Sequence, residues 1–303
     1  MVNSTKPRLL LMIGTYLLLF AATSCESPKE SGDELNVISP VEVTSMGTMI
    51  DYQTCGSGDL TLLLVHGWCI DKGYWSYQVD GFCSDYLLVS MDLPGFGKSQ
   101  KNRVDWNIEQ YGKDVKAVIE QLQLKNVVLV GHSMGGDIIL EAALDHPEVI
   151  ALVGIDNFKE VGLEFDPQLQ QEIDGFLEVL QSNFSEVASA YAEGALFHPS
   201  TDTMVVKRVV QSIIDSDSIV AVATIRSLFD YTPYESQKLS KLDKKLYLIN
   251  SNNTPTDTLA LAETGVSFEL HEISGTGHYP MIEKPGEFNK KLQLVLKDIE
   301  RNL

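Results

Sequence analysis

The sequence predicts an α/β fold: a mostly parallel sheet with helices on both faces and a helical segment inserted late in the chain. Three observations predict it. From about residue 41, short apolar runs alternate with amphipathic segments, the rhythm of strands joined by crossover helices. Several of those runs are apolar almost throughout, as strands buried on both faces must be. Between about residues 159 and 237 the rhythm stops, and helical patterns follow one another with no buried strand between them.

Taken in order, "MIDYQT" reads as an early, half-alternating strand and "LTLLLVHG" as the first fully buried one. "YWSYQVDGF" reads as a short helix and "YLLVSMDLPG" as the next buried strand. In "IEQYGKDVKAVIEQL", Ile108, Tyr111, Val115, Val118, Ile119 and Leu122 fall on one helical face. The strand "NVVLVG", the helix "GDIILEAALDH" stopped by Pro147 and the strand "VIALVGID" follow. The helical stretch contains "PQLQQEIDGFLEVLQS", "FSEVASAYAEGALF", "DTMVVKRVVQSII" and "SIVAVATIRSLFDY". The earlier rhythm resumes with "KKLYLINS" and "VSFELHEIS" and closes on the helix "KPGEFNKKLQLVLKDIERN". The expected organisation is a core of residues 41–158 and 238–303 with a helical cap of residues 159–237.

Composition narrows the function. With 44% hydrophobic and 21% charged residues the chain is built to bury a core. Its formal charge of -19, with no cluster of Lys and Arg, argues against nucleic acid, because phosphate binding requires such clusters. It also mildly disfavours polyanionic substrates.

At the N-terminus, Lys6 and Arg8 precede the apolar run "LLLMIGTYLLLF", and "AATSC" follows it. A basic start, an apolar stretch and small residues form an export signal, expected over residues 1–24, too short and wrongly flanked for a membrane span. The small residues before Cys25 resemble a bacterial lipobox, which implies lipidation of Cys25 and a membrane-anchored protein of the cell envelope. An ordinary cleaved signal and an uncleaved anchor helix are the alternatives. Residues 25–40, including "ESPKESGDELN", are polar and charged enough for a flexible tether. Apart from Cys25 there are three cysteines, Cys55, Cys69 and Cys83. An exported compartment permits one disulfide among them and leaves the pairing open. No CxxC or His-rich spacing points to a metal, and no cofactor is expected.

The chemistry centres on "VVLVGHSMGG". A strand, then Gly131, His132, Ser133, Met134 and Gly135, then a helix is the G-x-S-x-G nucleophile elbow. The sharp turn crowds its neighbours, hence the glycines, and lifts the hydroxyl above the carboxyl edge of the sheet at a helix N-terminus that favours negative charge. "LLLVHGW" ends a strand with a tight turn that can aim the Trp68 N–H at the space above Ser133. With the Met134 N–H it makes a two-donor oxyanion hole. "ISGTGHYPMIEKP" sets His278 on a glycine-rich loop after the last strand, where a general base reaches the serine. Of the other histidines, His146 ends a helix, His198 sits in the insertion and His271 lies in a strand, all positions that suit structural roles.

Together "HGW", "DLPGFGKS", "GHSMGG" and "GTGHYPMIEKP" resemble the α/β-hydrolase superfamily over nearly all of residues 41–303. The resemblance implies an eight-stranded, mostly parallel sheet with a helical cap between its sixth and seventh strands. It implies a structural Asp92 in the turn after the fourth strand, and an acid just after the seventh. There the sequence departs from the pattern: "YLINSNNTPTD" carries Asn252 and Asn253. Two carboxylates are candidates for the acid. Asp156 ends the sixth strand, where some members resemble this chain in carrying it, and a strand end is a fixed platform. The alternative, Asp257, starts the next helix, where it also suits a cap.

The reading expected from these residues is a serine hydrolase that cleaves a small or medium carboxylic ester through an acyl-enzyme. Ser133 is the nucleophile, His278 the base and Asp156 the orienting acid. Trp68, Met134, Phe158 and Phe165 are candidates to line an acyl pocket. Amide or carbon–carbon bond hydrolysis uses the same triad. A weakly catalytic ligand receptor on this scaffold, or an envelope binding protein, is the rival of another class.

Overall fold

A computed structural model describes residues 41–303. The expected signal, Cys25 and the tether lie outside the described residues. Two short strands, β1 (Val43–Ser45) and β2 (Thr48–Ile50), pair as an antiparallel ribbon. Then β3 (Tyr52–Cys55), β4 (Thr61–Val65), α1 (Ser76–Phe82), β5 (Leu87–Met91), α2 (Ile108–Gln121), β6 (Val127–His132), α3 (Met134–Ala143) and β7 (Val149–Ile155) follow in order. Four long helices come next: α4 (Pro167–Ser182), α5 (Phe184–Ala195), α6 (Thr203–Asp215) and α7 (Ser218–Tyr231). The short α8 (Glu235–Leu239) leads into β8 (Lys245–Ser251), α9 (Thr258–Glu263), β9 (Phe268–Ile273), α10 (Pro280–Glu283) and α11 (Pro285–Arg301).

Among the described residues the main sheet has seven strands in the order β3-β5-β4-β6-β7-β8-β9, with only β3 antiparallel. This is the mostly parallel sheet expected, with seven strands in place of eight. The segment read as one early strand divides: β2 turns back on β1, and after Asp51 the chain joins the main sheet as β3. Counting the ribbon as the first strand, β7 and β8 are the sixth and seventh, and the helical stretch lies between them.

The core follows the apolar periodicity. Leu62–Val65 and Val127–Val130 are fully covered on both faces, and α2 buries Ile108, Tyr111, Val115, Val118 and Ile119. Leu122, at the end of that face, is only partly covered. Asp166, Asp202, Asp217 and Asp257 each cap a helix by accepting backbone N–H bonds, which fixes where α4, α6, α7 and α9 begin. A disulfide joins Cys55 at the end of β3 to Cys83 after α1, and Cys69 is buried and free. Among the described residues no helix is long and apolar enough to cross a membrane.

Parallel register places the site. Val65 pairs with Gly131, His132 with Ile155, and Ile155 with Ile249. The chain therefore leaves β4, β6, β7 and β8 side by side at one carboxyl edge, delivering His66, Ser133, Asp156 and the Asn252 region to a common rim.

Candidate active site

Ser133 adopts φ 53° and ψ -126° as it leaves β6 for α3. That conformation costs a non-glycine residue about 1–3 kcal/mol and persists only where its surroundings enforce it. Glycines allow it: a Cβ on Gly131 would sit 2.3 Å from the Gly135 carbonyl, and one on Gly135 would sit 2.6 Å from that of Val65. Gly67 meets the elbow from β4, since a Cβ there would lie 3.1 Å from Ser133 Cβ. The Trp68 amide thus emerges directly beside the serine. Among the described residues neither the Trp68 N–H nor the Met134 N–H makes a turn, loop or cap backbone hydrogen bond. His66 fixes the turn. Its Nε2 accepts from Leu93 N at 2.9 Å, so its proton sits on Nδ1, 2.8 Å from the Gly67 carbonyl. Burial lowers its affinity for a second proton.

Trp68 points into the inserted helices. Its Nε1–H donates to Ala221 O of α7 at 2.8 Å and its ring meets Phe184 edge-on. Met134 is wholly buried, Phe158 is buried beside Gly154, and Phe165 is partly covered.

His278 Nδ1 lies 2.6 Å from Asp156 Oδ2. The carboxylate accepts only, so Nδ1 carries the proton and Nε2 is left with its lone pair. Asp156 Oδ1 accepts from Ser251 N at 2.9 Å and pairs with Lys159 Nζ at 2.6 Å. Burial alone would raise this acid, but the hydrogen bond from His278 and the charges of His278 and Lys159 outweigh it and hold it at about 2. Asp257, by contrast, caps α9 through Leu259 N and Ala260 N. Asn252 is exposed and bonds to Ser274, and Asn253 N donates to Ser251 Oγ. Among the described residues none of the three is hydrogen-bonded to His278. Asp92 accepts from the amides of Lys72 and Lys98 and pairs with Lys72 Nζ, the structural place expected of it. His146 Nδ1 accepts from Glu148 N, His198 Nδ1 bonds to the Ser200 hydroxyl beside the His278 loop, and His271 Nε2 lies 3.1 Å from Glu269 Oε1.

Ser133 and His278 share the rim through His132. The rings of His132 and His278 lie 4.8 Å apart, and His132 Nε2 donates to the His278 carbonyl at 2.7 Å. Burial, then repulsion from His278, holds His132 down at about 3, so this ring stays neutral. No hydrogen bond joins Ser133 Oγ to His278 here. Bonds of this kind commonly tighten only on substrate binding.

Three side chains that sequence reasoning passed over support this rim. Asn157 Nδ2 donates to Ser133 O at 2.5 Å, bracing the elbow from the end of β7. Glu283 accepts from both amides that flank His278, those of Gly277 at 2.9 Å and Tyr279 at 3.0 Å. Lys159 grips Asp156. The only signals they carried were their places, next to Asp156 or a few residues after His278. The loop of His278 also meets the inserted segment: His278 N donates to Leu196 O at 2.7 Å, and Thr201 bonds to Glu283.

Comparison with known proteins agrees with this architecture. A family model described as the alpha/beta hydrolase fold matches residues 61–285. The chain is 22% identical to karrikin insensitive 2 receptor IA of Petunia hybrida over 250 residues, 78% of this chain and 90% of that protein. Among solved structures it is similar to a thermophilic esterase from Thermogutta terrifontis, with TM-score 0.75 and 21% identity over 86% of this chain and 98% of the other. An esterase from Exiguobacterium antarcticum also gives TM-score 0.75, at 21% identity over 84% and 98%.

Proposed function

This chain belongs to the α/β-hydrolase fold family, and we propose that it is a serine hydrolase cleaving small or medium carboxylic esters through an acyl-enzyme. The observation that carries the reading is the 2.6 Å bond from His278 to Asp156 at the sheet edge where Ser133 is held in its elbow. In this reading Ser133 Oγ attacks the ester carbonyl while His278 Nε2 takes its proton. The Trp68 and Met134 N–H groups hold the oxyanion, a contribution of about 3 kcal/mol per donor. The protonated His278, stabilised by Asp156, returns its proton to the departing alcohol. A water activated by the same nitrogen then releases the acid and frees Ser133. The helices between β7 and β8 act as a cap over the acyl group, with Trp68, Met134, Phe158 and Phe165 as its apolar lining.

The test is turnover of a panel of p-nitrophenyl esters of graded acyl length. Wild type hydrolyses at least one of them, and Ser133→Ala reduces the rate by about four orders of magnitude or more. A wild type inert on every ester removes the reading. One specific observation favours a second reading, a ligand receptor of little turnover: the Petunia hybrida relative, matched over 90% of its length, carries the name of a receptor. Under it, esters bind and shift the melting temperature without being consumed.

The N-terminal export signal and lipidation of Cys25 belong to the same proposal. They are supported by the order of basic, apolar and small residues before that cysteine. Wild type then partitions with membranes of the expressing bacterium and Cys25→Ser does not; equal partitioning rejects the anchor.

A further inference from the structure

Strand β8 ends at Ser251 and is followed by Asn252 and Asn253, uncharged residues at the place where the family resemblance leads one to expect the acid. The carboxylate stands instead at the end of β7, and what surrounds it differs from a lone acid behind a histidine. After Asp156 (φ 48°) and Phe158 (φ 52°), two left-handed residues that curl the chain back, Lys159 returns its ammonium to the same carboxylate. Lys159 Nζ lies 2.6 Å from Asp156 Oδ1 and 2.9 Å from the Ser251 carbonyl, with its side chain only 13% exposed. Ser251 N closes the circuit by donating to the same Oδ1 at 2.9 Å. Oδ1 is thus saturated by groups from β8 and from the turn, and Oδ2 alone is left for His278.

We propose that Lys159 is a positioning residue for Asp156: it fixes the carboxylate so that Oδ2 meets His278 Nδ1, and its charge moderates how strongly that acid draws a proton onto the imidazole. The proposal rests on the hydrolase reading for its purpose but not for its test. Without the ammonium, Oδ1 keeps a single neutral donor, and the whole negative charge serves the histidine. The imidazole then takes up its second proton more readily, leaving less free base at neutral pH. The turn also ties the acid to the segment after β8, because Lys159 O accepts from Asp257 N at 2.8 Å. The other titratable groups around His278 are His132 and Tyr279, with ring centroids 4.8 and 5.3 Å away, and Glu283, bonded to the amides on either side. His66 lies behind His132. These groups stay in place in the variants, so a shift in titration reports Lys159.

The experiment is an NMR titration of the His278 imidazole, assigned by its loss in His278→Gln, in wild type, Lys159→Met, Lys159→Gln and Lys159→Arg. In the two neutral variants the titration midpoint moves up by about half to one pH unit, while Lys159→Arg stays within about 0.2 units of wild type. Where turnover is measured, the acidic limb of kcat/KM moves up by the same amount and kcat falls about 3- to 10-fold. An unchanged midpoint in both neutral variants overturns the proposal, as does an equal shift in Lys159→Arg. Lys159→Gln keeps a donor for the Ser251 carbonyl and so holds the turn if Lys159→Met fails to fold. A wild type that turns over no ester removes the hydrolase reading but leaves the NMR midpoints to decide this one.

Discussion

His278 and Asp156 are separated by 122 residues in the chain and by 2.6 Å in the structure. The parallel register of β6, β7 and β8 brings them together; of the two carboxylates the sequence left open, Asp156 bonds to His278 whereas Asp257 caps α9, and Asp156 is the acid we propose. Asp156→Asn is expected to lower kcat by about three to four orders of magnitude, because an amide neither stabilises the imidazolium nor holds the right tautomer. Asp257→Asn retains a capping residue and is expected to keep kcat within about 2-fold. Steady-state kinetics of the two variants check both.

Glu283 holds the loop of His278 from behind, through the amides on either side of that residue and the Thr201 hydroxyl. Glu283→Ala frees two buried donors and loosens the histidine. A loss of kcat of about 10-fold or more is expected, with KM little changed and stability lower by about 1–3 kcal/mol. Kinetics and urea denaturation of the same preparation measure these effects.

Much of this site was legible because it depends on short local patterns. A strand running into G-x-S-x-G announces the elbow at Ser133, and a glycine-rich loop between the last strand and the last helix singles out His278. The fold was legible for the same reason, since strands buried on both faces are apolar throughout, as Val127–Val130 are. What stayed open depends on contacts across the sheet. The choice of Asp156 over Asp257, the pairing of Cys55 with Cys83 and the grip of Lys159 all join residues far apart in the chain or turned by left-handed backbone. The first strand was misjudged because "MIDYQT" alternates through Asp51, where the chain passes from the ribbon to the main sheet. Periodicity alone does not register such a crossing.

Behind the elbow, Asp137 of α3 and Glu235 of α8 form a buried carboxyl pair, both with raised proton affinity. Burial is the larger cause, and for Glu235 the neighbouring Asp137 charge is the next. Glu141, which accepts from Tyr231 and pairs with Lys238, and Glu160 are the nearby charges. The unfolded chain releases these protons near its ordinary carboxyl value of about 4, whereas the folded protein keeps one until about 7 at Asp137. The pair's contribution to stability is therefore greatest below about pH 4 and falls as pH rises toward neutrality. Glu235→Gln is expected to flatten that slope, gaining about 1–2 kcal/mol on wild type between pH 4.5 and 7.5. Denaturation curves across this range test it, and parallel slopes in the two proteins would remove the assignment.

The Cys55–Cys83 bond closes a loop of 28 residues. In the chain-entropy account such a link stabilises by about 3–4 kcal/mol. Cys55→Ser with Cys83→Ser is expected to lower the urea midpoint accordingly while leaving the Asp156–His278 contact and ester turnover intact.

The most direct measurement is covalent labelling by a fluorophosphonate, with the modified peptide located by mass spectrometry. If Ser133 is the activated nucleophile, wild type takes up one phosphonyl group per chain on Ser133, Ser133→Ala takes up none, and His278→Gln reacts slower by orders of magnitude. A wild type that stays unlabelled, or that is labelled equally well without His278, contradicts the account.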